Sequence, residues 1–370
     1  MSKLEQLINE LCPNGVEWIE LGNILEYEQP TKYIVESTDY DQSYNIPVLT
    51  AGQTFILGYT NERTGIYTAS SANPTIIFDD FTTAFHWVDF GFKVKSSAMK
   101  MLRPKVTFKG LFRYIYYAMK CIGYEAVDHS RHWISKYSHF EIPIPPLPVQ
   151  EEIVRILDAF TDYTAELQAE LQARREQYEY YRNELLSFEG DSSVEWKLMG
   201  DVCDIRRGIR VVKNDLFASG EIPVFQNSLT PLGYHSKSNV PANTTFIIGA
   251  GAAGDIGYSN IPYWGADDCF SIICNKDIVN KYIYYFLTNT QRTIKSKVRK
   301  ASIPRISRGV IERLLIPIPS LSEQKRIVAI LDKFEALVND LTEGLPAEIA
   351  ARQEQYEYYR DKLLSFPKAV

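Results

Sequence analysis

Apolar positions along this chain follow two alternating regimes. In the first, short runs such as Pro74–Phe78 (PTIIF) and Thr244–Ile248 (TTFII) are β-branched and aromatic and are bounded by Pro, Asn, Gly and Asp, which predicts strands. In the second, Ile153, Ile156, Phe160, Tyr163, Leu167, Leu171, Arg174, Tyr178, Tyr181, Leu185 and Phe188 succeed one another by steps of three and four. That is a helical seam of coiled-coil type, with one extra step of four at Leu167–Leu171. The seam returns as Ile327, Ile330, Phe334, Leu337 and Leu341, then Tyr356, Tyr359, Leu363 and Phe366. A helix is also predicted around each Tyr-Ile-Tyr-Tyr segment, Tyr114–Tyr117 and Tyr282–Tyr285. Where the regimes meet, the proline-rich stretches 143–148 and 317–319 predict stiff hinges, because proline removes a backbone donor and cannot continue a helix or a central strand. A continuous helix over Gln150–Phe188 would span roughly 58 Å.

The two regimes occur twice because the chain is duplicated. Ala173–Phe188 (ARREQYEYYRNELLSF) and Ala351–Phe366 (ARQEQYEYYRDKLLSF) are identical at thirteen of sixteen positions. Each copy closes a segment opened by an Ile-Pro-Ile-Pro run, Ile142–Pro145 or Ile316–Pro319, and both segments share a Gln (Gln150, Gln324) and an Ile-Leu-Asp (Ile156–Asp158, Ile330–Asp332). Outside the helices, Val16-Glu17-Trp18 matches Val194-Glu195-Trp196, Ile46-Pro47-Val48 matches Ile222-Pro223-Val224, and Ile134-Ser135 matches Ile306-Ser307. The order is globular–helix–globular–helix, which predicts an α+β protein with a pseudo-two-fold internal duplication. Two β-rich domains (1–148 and 190–320) are joined by two long helices (149–189 and 321–370) that pack antiparallel. The second helical segment is four residues longer between Asp332 and Ala351 than the first between Asp158 and Ala173, and it holds Gly344-Leu345-Pro346, which should break or kink it.

A helical core needs only its apolar seam, yet polar positions are repeated as well: Glu176, Gln177, Tyr180 and Arg182 return as Glu354, Gln355, Tyr358 and Arg360. Two copies that meet the same partner surface account for this. A duplication too recent to have diverged is the alternative, and it is weakened by the wide divergence between the copies.

The net charge of −6 argues against a polyanionic partner until its distribution is considered. Residues 151–189 carry ten acidic side chains against four arginines, whereas 281–313 carry nine basic side chains against Glu312 alone. An acidic helix beside a basic globular segment divides the task between a protein partner and a polyanion. The odd number of cysteines, five without CxxC spacing, fits reduced thiols in a cytoplasm. The first fifteen residues lack the apolar core of a secretory signal, and no apolar run reaches membrane-spanning length.

Several motifs imitate catalytic or ligand sites. Gly249–Gly254 fits GxGxxG and follows a strand-like run, but no helical period follows it, so a glycine-rich turn that permits close backbone packing is the better account. Asp191…Glu195-Trp196-Lys197 imitates a nuclease metal site, although the equivalent triplet Glu17-Trp18-Ile19 lacks the lysine. Asp128, His129, His132 and His139 could form a metal cluster, but the second half has cations rather than histidines there. No Ser-His-Asp arrangement and no amino-methyltransferase Asn/Asp-Pro-Pro-aromatic motif is present. No catalytic constellation emerges, and no metal or cofactor is expected in this chain.

The stretch Arg292–Arg308 instead points to DNA. Arg292, Lys295, Lys297, Arg299, Lys300, Arg305 and Arg308 stand among Ser and Thr in a proline-stiffened loop, suited to phosphates and to guanine edges. The matching place in the first half carries Arg131, His132, Trp133 and Lys136. Arg206, Arg207, Arg210, Gln226 and Asn227 are further candidates in the second half, and Lys32, Thr50, Gln53 and Tyr59 in the first. A solvated basic loop is the plainer alternative. Divergence of these segments against near-identity of the helices fits two readers of different sequences on one scaffold.

With these residues in place, the chain resembles the specificity subunit of type I restriction-modification enzymes. The likeness rests on GVEWIELG, the paired IPIP–Gln–ILD helices, the GLPAEI break and the EQYEYYRDKLLSFPK ending, and it covers essentially the whole chain. Gln29–Tyr33, Leu49–Tyr59 (LTAGQTFILGY) and Asp79–Ala84 resemble the type IC group most closely. The resemblance implies two target recognition domains, each reading one half-site of double-stranded DNA across an unread spacer. It also implies two modification subunits docked on the helical repeats, which bring S-adenosylmethionine, and restriction subunits that bring ATP and Mg2+. The Gly-Leu-Pro break implies that the two docking surfaces are not equivalent, and the net acidity implies that DNA affinity depends on the assembled complex. The rival readings are a coiled-coil adaptor without DNA specificity and a methyltransferase-associated enzyme.

Overall fold

The computed structural model describes residues 2–52, 54–126, 128, 130–340 and 343–369. Grouped by packing rather than by chain order, the chain forms two compact units, residues 1–166 with 350–370 and residues 167–349. Among the described residues no helix is long and apolar enough to cross a membrane.

Within the first unit a four-stranded antiparallel sheet runs in the order Leu25–Glu28, Met99–Pro104, Thr75–Asp79, Phe85–Val88. A three-stranded sheet sets Ile46–Leu49 between Ile56–Thr60 and Lys93–Val94, and Glu17–Glu20 pairs with Glu141–Ile144. The second unit repeats the plan strand for strand. Its larger sheet runs Cys203–Arg207, Cys269–Cys274, Thr244–Ile248, Ile256–Ser259; its smaller sheet is centred on Ile222–Phe225; and Glu195–Leu198 pairs with Leu315–Ile318. Thr244–Ile248 has no polar alternation because it is buried on both faces: Ile247 packs into the cluster that holds the helix Asn280–Asn289, and Phe246 and Ile248 into the cluster of Phe225, Val240 and Tyr263. The expected Tyr-Ile-Tyr-Tyr helices are Phe112–Lys120 and Asn280–Asn289.

The hinges expected at the Ile-Pro-Ile-Pro runs are strands. Pro143 lies opposite Trp18 and Pro317 opposite Trp196 in ladders only two strands wide. An edge strand tolerates proline because the missing donor faces away from its single partner. Each proline carbonyl is also used, accepting a tyrosine hydroxyl at 2.9 Å: Tyr114 at Pro143 and Tyr282 at Pro317.

The polar residues shared by the two halves fasten the start of each long helix to the globular part that precedes it. The Gln150 side chain donates to the Pro145 carbonyl at 2.8 Å and accepts the Leu111 N–H at 2.9 Å. Gln324 does the same with Pro319 and Val279, at 2.9 Å in both bonds. The Asp of each Ile-Leu-Asp accepts a hydroxyl from the neighbouring helix, Tyr117 to Asp158 and Tyr285 to Asp332, both at 2.5 Å. Burial, then the carboxylate itself, pushes both tyrosine hydroxyls well above their ordinary range. These repeats are explained within the chain.

The first long helix is continuous over 39 residues, Leu147–Leu185. In the first unit it runs antiparallel to the helix Leu345–Leu363: Phe160 stacks on Tyr359 at 5.7 Å, and three residues on, Tyr163 lies 5.4 Å from the Arg352 guanidinium. In the second unit Tyr181 and Tyr178 face Phe334 of the helix Leu321–Asn339. The break expected at Gly-Leu-Pro falls just before it, between Asn339 and Leu345, and Leu345-Pro346 opens the new helix. Proline is tolerated there because first-turn N–H groups have no intrahelical partner. Gly344 is needed at this turn, since a Cβ would lie 2.6 Å from the Ala336 carbonyl oxygen.

The ends of the repeated sixteen-residue segments plug the cores. Leu186 and Phe188 are buried in the second unit, and Leu364 and Phe366 in the first. The chain end is held there by a parallel bridge between Val16 and Lys368, with the Val16 N–H donating to the Pro367 carbonyl at 2.9 Å.

Candidate nucleic-acid interface

In the second unit the sheet brings dispersed cations together. The strand Cys203–Arg207 ends beside the start of Cys269–Cys274, which places Arg207 where its Nε donates to the Asp267 carbonyl at 2.8 Å. The glycine run Gly249–Gly254 connects two antiparallel strands and is followed by no helix, so it is a turn and not a dinucleotide loop. It is the platform for the basic segment. Gly251 donates to the Pro304 carbonyl at 3.1 Å, Ile306 donates to the Gly249 carbonyl at 2.9 Å, and Ala252 donates to the Asn227 carbonyl at 2.9 Å. Gly251 has φ +83°, and a Cβ there would press on Asn227.

The result is an open cleft lined by Arg207, Lys297, Arg299, Arg305 and Arg308. Asp267 and Asp268 also line it, and the Asp267 Oδ1 is buried without a hydrogen-bond partner among the described residues. Sequence reading missed both carboxylates, because a two-acid loop before a strand carries no signal of its own. Arg308 pairs with Glu312 at 2.7 Å, Lys295 with Asp255 at 2.7 Å and Arg206 with Asp204 at 2.7 Å. Each of these pairs has an exposed cation, so water screens it and a phosphate can compete for the charge. Arg210, Asn227, Arg292 and Lys300 are exposed, and Gln226 is half-buried.

The first unit uses the same frame with different side chains. The His132 N–H donates to the Asp80 carbonyl at 2.8 Å, the position that Ile306 and Gly249 occupy in the second unit. His132 therefore corresponds to Ile306, two residues away from the Ile134–Ile306 match of the sequences. This corrects the role given to His132. Its ring is fully buried, held by the Tyr124 hydroxyl at 3.1 Å and the Asp128 carbonyl at 3.1 Å, and cannot touch DNA. The neighbouring Arg131, counterpart of Arg305, is exposed, and Lys136 is exposed 3.9 Å from Asp128. Lys32 lies in a short helix with its side chain 78% exposed. Thr50 shapes the turn before Ile56–Thr60, its hydroxyl donating to the Thr54 carbonyl at 3.1 Å and accepting the Gly52 N–H at 3.1 Å. Tyr59 is a half-buried strand residue opposite Pro47. Gln53 and His129 lie outside the described residues.

Among the described residues no three His, Cys, Asp or Glu side chains are grouped to hold a metal ion. Asp191 of the nuclease-like motif caps a turn, accepting the Ser193 N–H at 2.9 Å and its hydroxyl at 2.6 Å.

On the helices the repeated residues divide into two sets. Tyr180 and Tyr358 are 62% and 61% exposed, each edge-on to its neighbour, Tyr181 at 5.5 Å and Tyr359 at 5.3 Å. Glu176 and Glu354 are exposed beside them. Arg182 and Arg360 turn inward. Arg182 donates to Asn289 Oδ1 at 3.1 Å and lies over Tyr178, while Arg360 pairs with Asp361 and lies over Tyr356. Gln177 and Gln355 are half-buried and each accepts at 3.0 Å from an arginine one turn earlier, Arg174 or Arg352. The face left open is thus a Tyr–Glu surface with the same local geometry in both units.

The model of the type I restriction modification DNA specificity domain matches this chain twice, over residues 13–176 and 192–351. The specificity subunit of the type I restriction enzyme EcoR124I/EcoR124II from Escherichia coli is 45% identical, over all of this chain and 98% of that protein. That relative agrees with the likeness to the type IC group. A putative type I specificity subunit from Haemophilus influenzae is 31% identical over 95% of this chain and 96% of its own length. The crystal structure of a type I restriction-modification S subunit from M. genitalium shares the fold, with a TM-score of 0.67 and 16% identity over 95% of this chain and 96% of that one.

Proposed function

This chain belongs to the type I restriction-modification DNA specificity family, and we propose that it is the non-catalytic subunit that reads a bipartite DNA target, one half-site per globular domain, and carries two modification subunits on its helical repeats. The observation that carries this reading is the cleft of the second unit, where Arg207 at the end of a strand joins Lys297, Arg299, Arg305 and Arg308 of a later segment around one open surface. Arginines at such a surface bind phosphates and present bidentate donors to guanine edges. The first unit offers the same frame with Arg131, Lys136 and Lys32 in place of those cations, which supports a different half-site rather than a second copy of the same one.

The exposed Tyr180 and Tyr358 surfaces, repeated where the DNA-facing segments diverge, support docking of two like subunits. Those subunits supply S-adenosylmethionine and the methyl transfer, and restriction subunits supply ATP- and Mg2+-dependent cleavage. The assembly works in the cytoplasm. The test is selection from a randomised duplex pool at physiological salt by the full chain assembled with its modification subunits. Enrichment of two fixed half-sites separated by a constant spacer supports the reading, and absence of any enriched sequence opposes it.

A further inference from the structure

We propose that the loop Arg299–Arg305 enters a DNA groove and that its exposed Ile303 makes an apolar contact with the bases of the second half-site; this rests on the recognition reading above. The loop is closed at its base by reciprocal backbone bonds, Arg299 N–H to the Arg305 carbonyl at 2.8 Å and Arg305 N–H to the Arg299 carbonyl at 3.2 Å. Pro304 and Ile306 tie that base to the glycine turn, and Ile306 is buried in the core. Beyond this anchor the loop stands clear: every residue from Arg299 to Arg305 is exposed, and Ile303 is 52% exposed.

Single exposed apolar residues are ordinary on a protein surface. The surroundings set this one apart. In sequence it lies between Lys300 and Arg305, on a loop whose two ends, Arg299 and Arg305, line the cationic cleft and are joined by backbone bonds, which limits the ordering entropy lost on binding. The cations account for phosphate attraction, and isoleucine can add nothing to that. In duplex DNA the apolar partners that bases offer it are the thymine 5-methyl group in the major groove and the faces of an opened base step, whereas contact with deoxyribose would not discriminate between sequences. Either contact distinguishes sequences, and both share the chemistry of an aliphatic group against a base.

The experiment uses the full chain assembled with its modification subunits and a duplex that the wild-type complex selects from a randomised pool. Ile303→Ser is expected to weaken binding to the selected duplex by about ten-fold while leaving an unrelated duplex of equal length and the salt dependence unchanged. Ile303→Leu should retain most of the preference. A matching loss on replacing one thymine by uracil identifies the methyl contact. A rise in 2-aminopurine fluorescence with wild type, absent with Ile303→Ser, identifies an opened step. Unchanged discrimination by Ile303→Ser, or a loss accompanied by neither signature, overturns the inference while the recognition reading stands. A wild-type complex that selected no sequence would overturn both.

Discussion

The Tyr285 hydroxyl donates to Asp332 at 2.5 Å, and 168 residues earlier in the chain Tyr117 makes the same 2.5 Å bond to Asp158. Each bond joins the globular part of a unit to its long helix, about two turns beyond the Gln that accepts a backbone N–H from the same globular part. These pairs help to tie the globular part of each unit to the helix that follows it.

Replacing Tyr285 by Phe leaves a carboxylate with one donor fewer and should destabilise the protein by about 1–3 kcal/mol. Tyr117→Phe should act similarly through the other unit. Urea unfolding checks both, and a change within error for either would show the bond to be incidental.

Glu152 accepts from Arg155 and Lys3, and these bonds hold its carboxyl at about 2. The folded form is therefore deprotonated where the unfolded chain begins to bind a proton. The resulting stability is complete above pH 4.5 and is lost as the pH falls from there towards 2. Both cations are mostly exposed, so the contribution should be about 1 kcal/mol. Unfolding of Glu152→Gln should lack that part of the acid dependence; an unchanged acid limb would refute the assignment.

Charge reversal at Arg299 and Arg305 should weaken DNA binding at every sequence and flatten its salt dependence by about one unit per lost phosphate contact. Assembly with the modification subunits should not change, which analytical ultracentrifugation can verify alongside a binding titration.

Tyr180→Ala and Tyr358→Ala should each lower the number of modification subunits bound and leave the fold intact, because both rings are mostly exposed. Native mass spectrometry reads the stoichiometry directly. Two bound subunits in the double variant would place the docking surface elsewhere.

Removing four residues from Thr164–Leu171 shortens the connecting helix by about 6 Å, one or two base-pair steps, and should alter the spacer accepted between half-sites. An unchanged spacer would exclude the helix as the ruler.

Much of this was legible in the sequence because duplication offers two readings of each element. Thr244–Ile248 and both Tyr-Ile-Tyr-Tyr helices follow from local pattern, and the seam of Phe160, Tyr178, Phe334 and Tyr359 follows from helical spacing. What failed depended on tertiary pairing. Pro143 and Pro317 suggested hinges because their use of a two-stranded edge is set by partners more than a hundred residues away. His132 suggested a groove contact because its burial under Tyr124 arises only once the loop folds back on Asp80. In Glu-Gln-Tyr-Glu-Tyr-Tyr-Arg the sequence cannot separate the inward arginine from the outward tyrosine, since both are repeated.

The most direct test of the account is to map the methylated positions in a host expressing this chain with its modification subunit, before and after residues 15–140 are exchanged for those of another family member. The account predicts two half-sites at a fixed spacing, of which the exchange rewrites one and leaves the other untouched. Rewriting of both, or of neither, would contradict it.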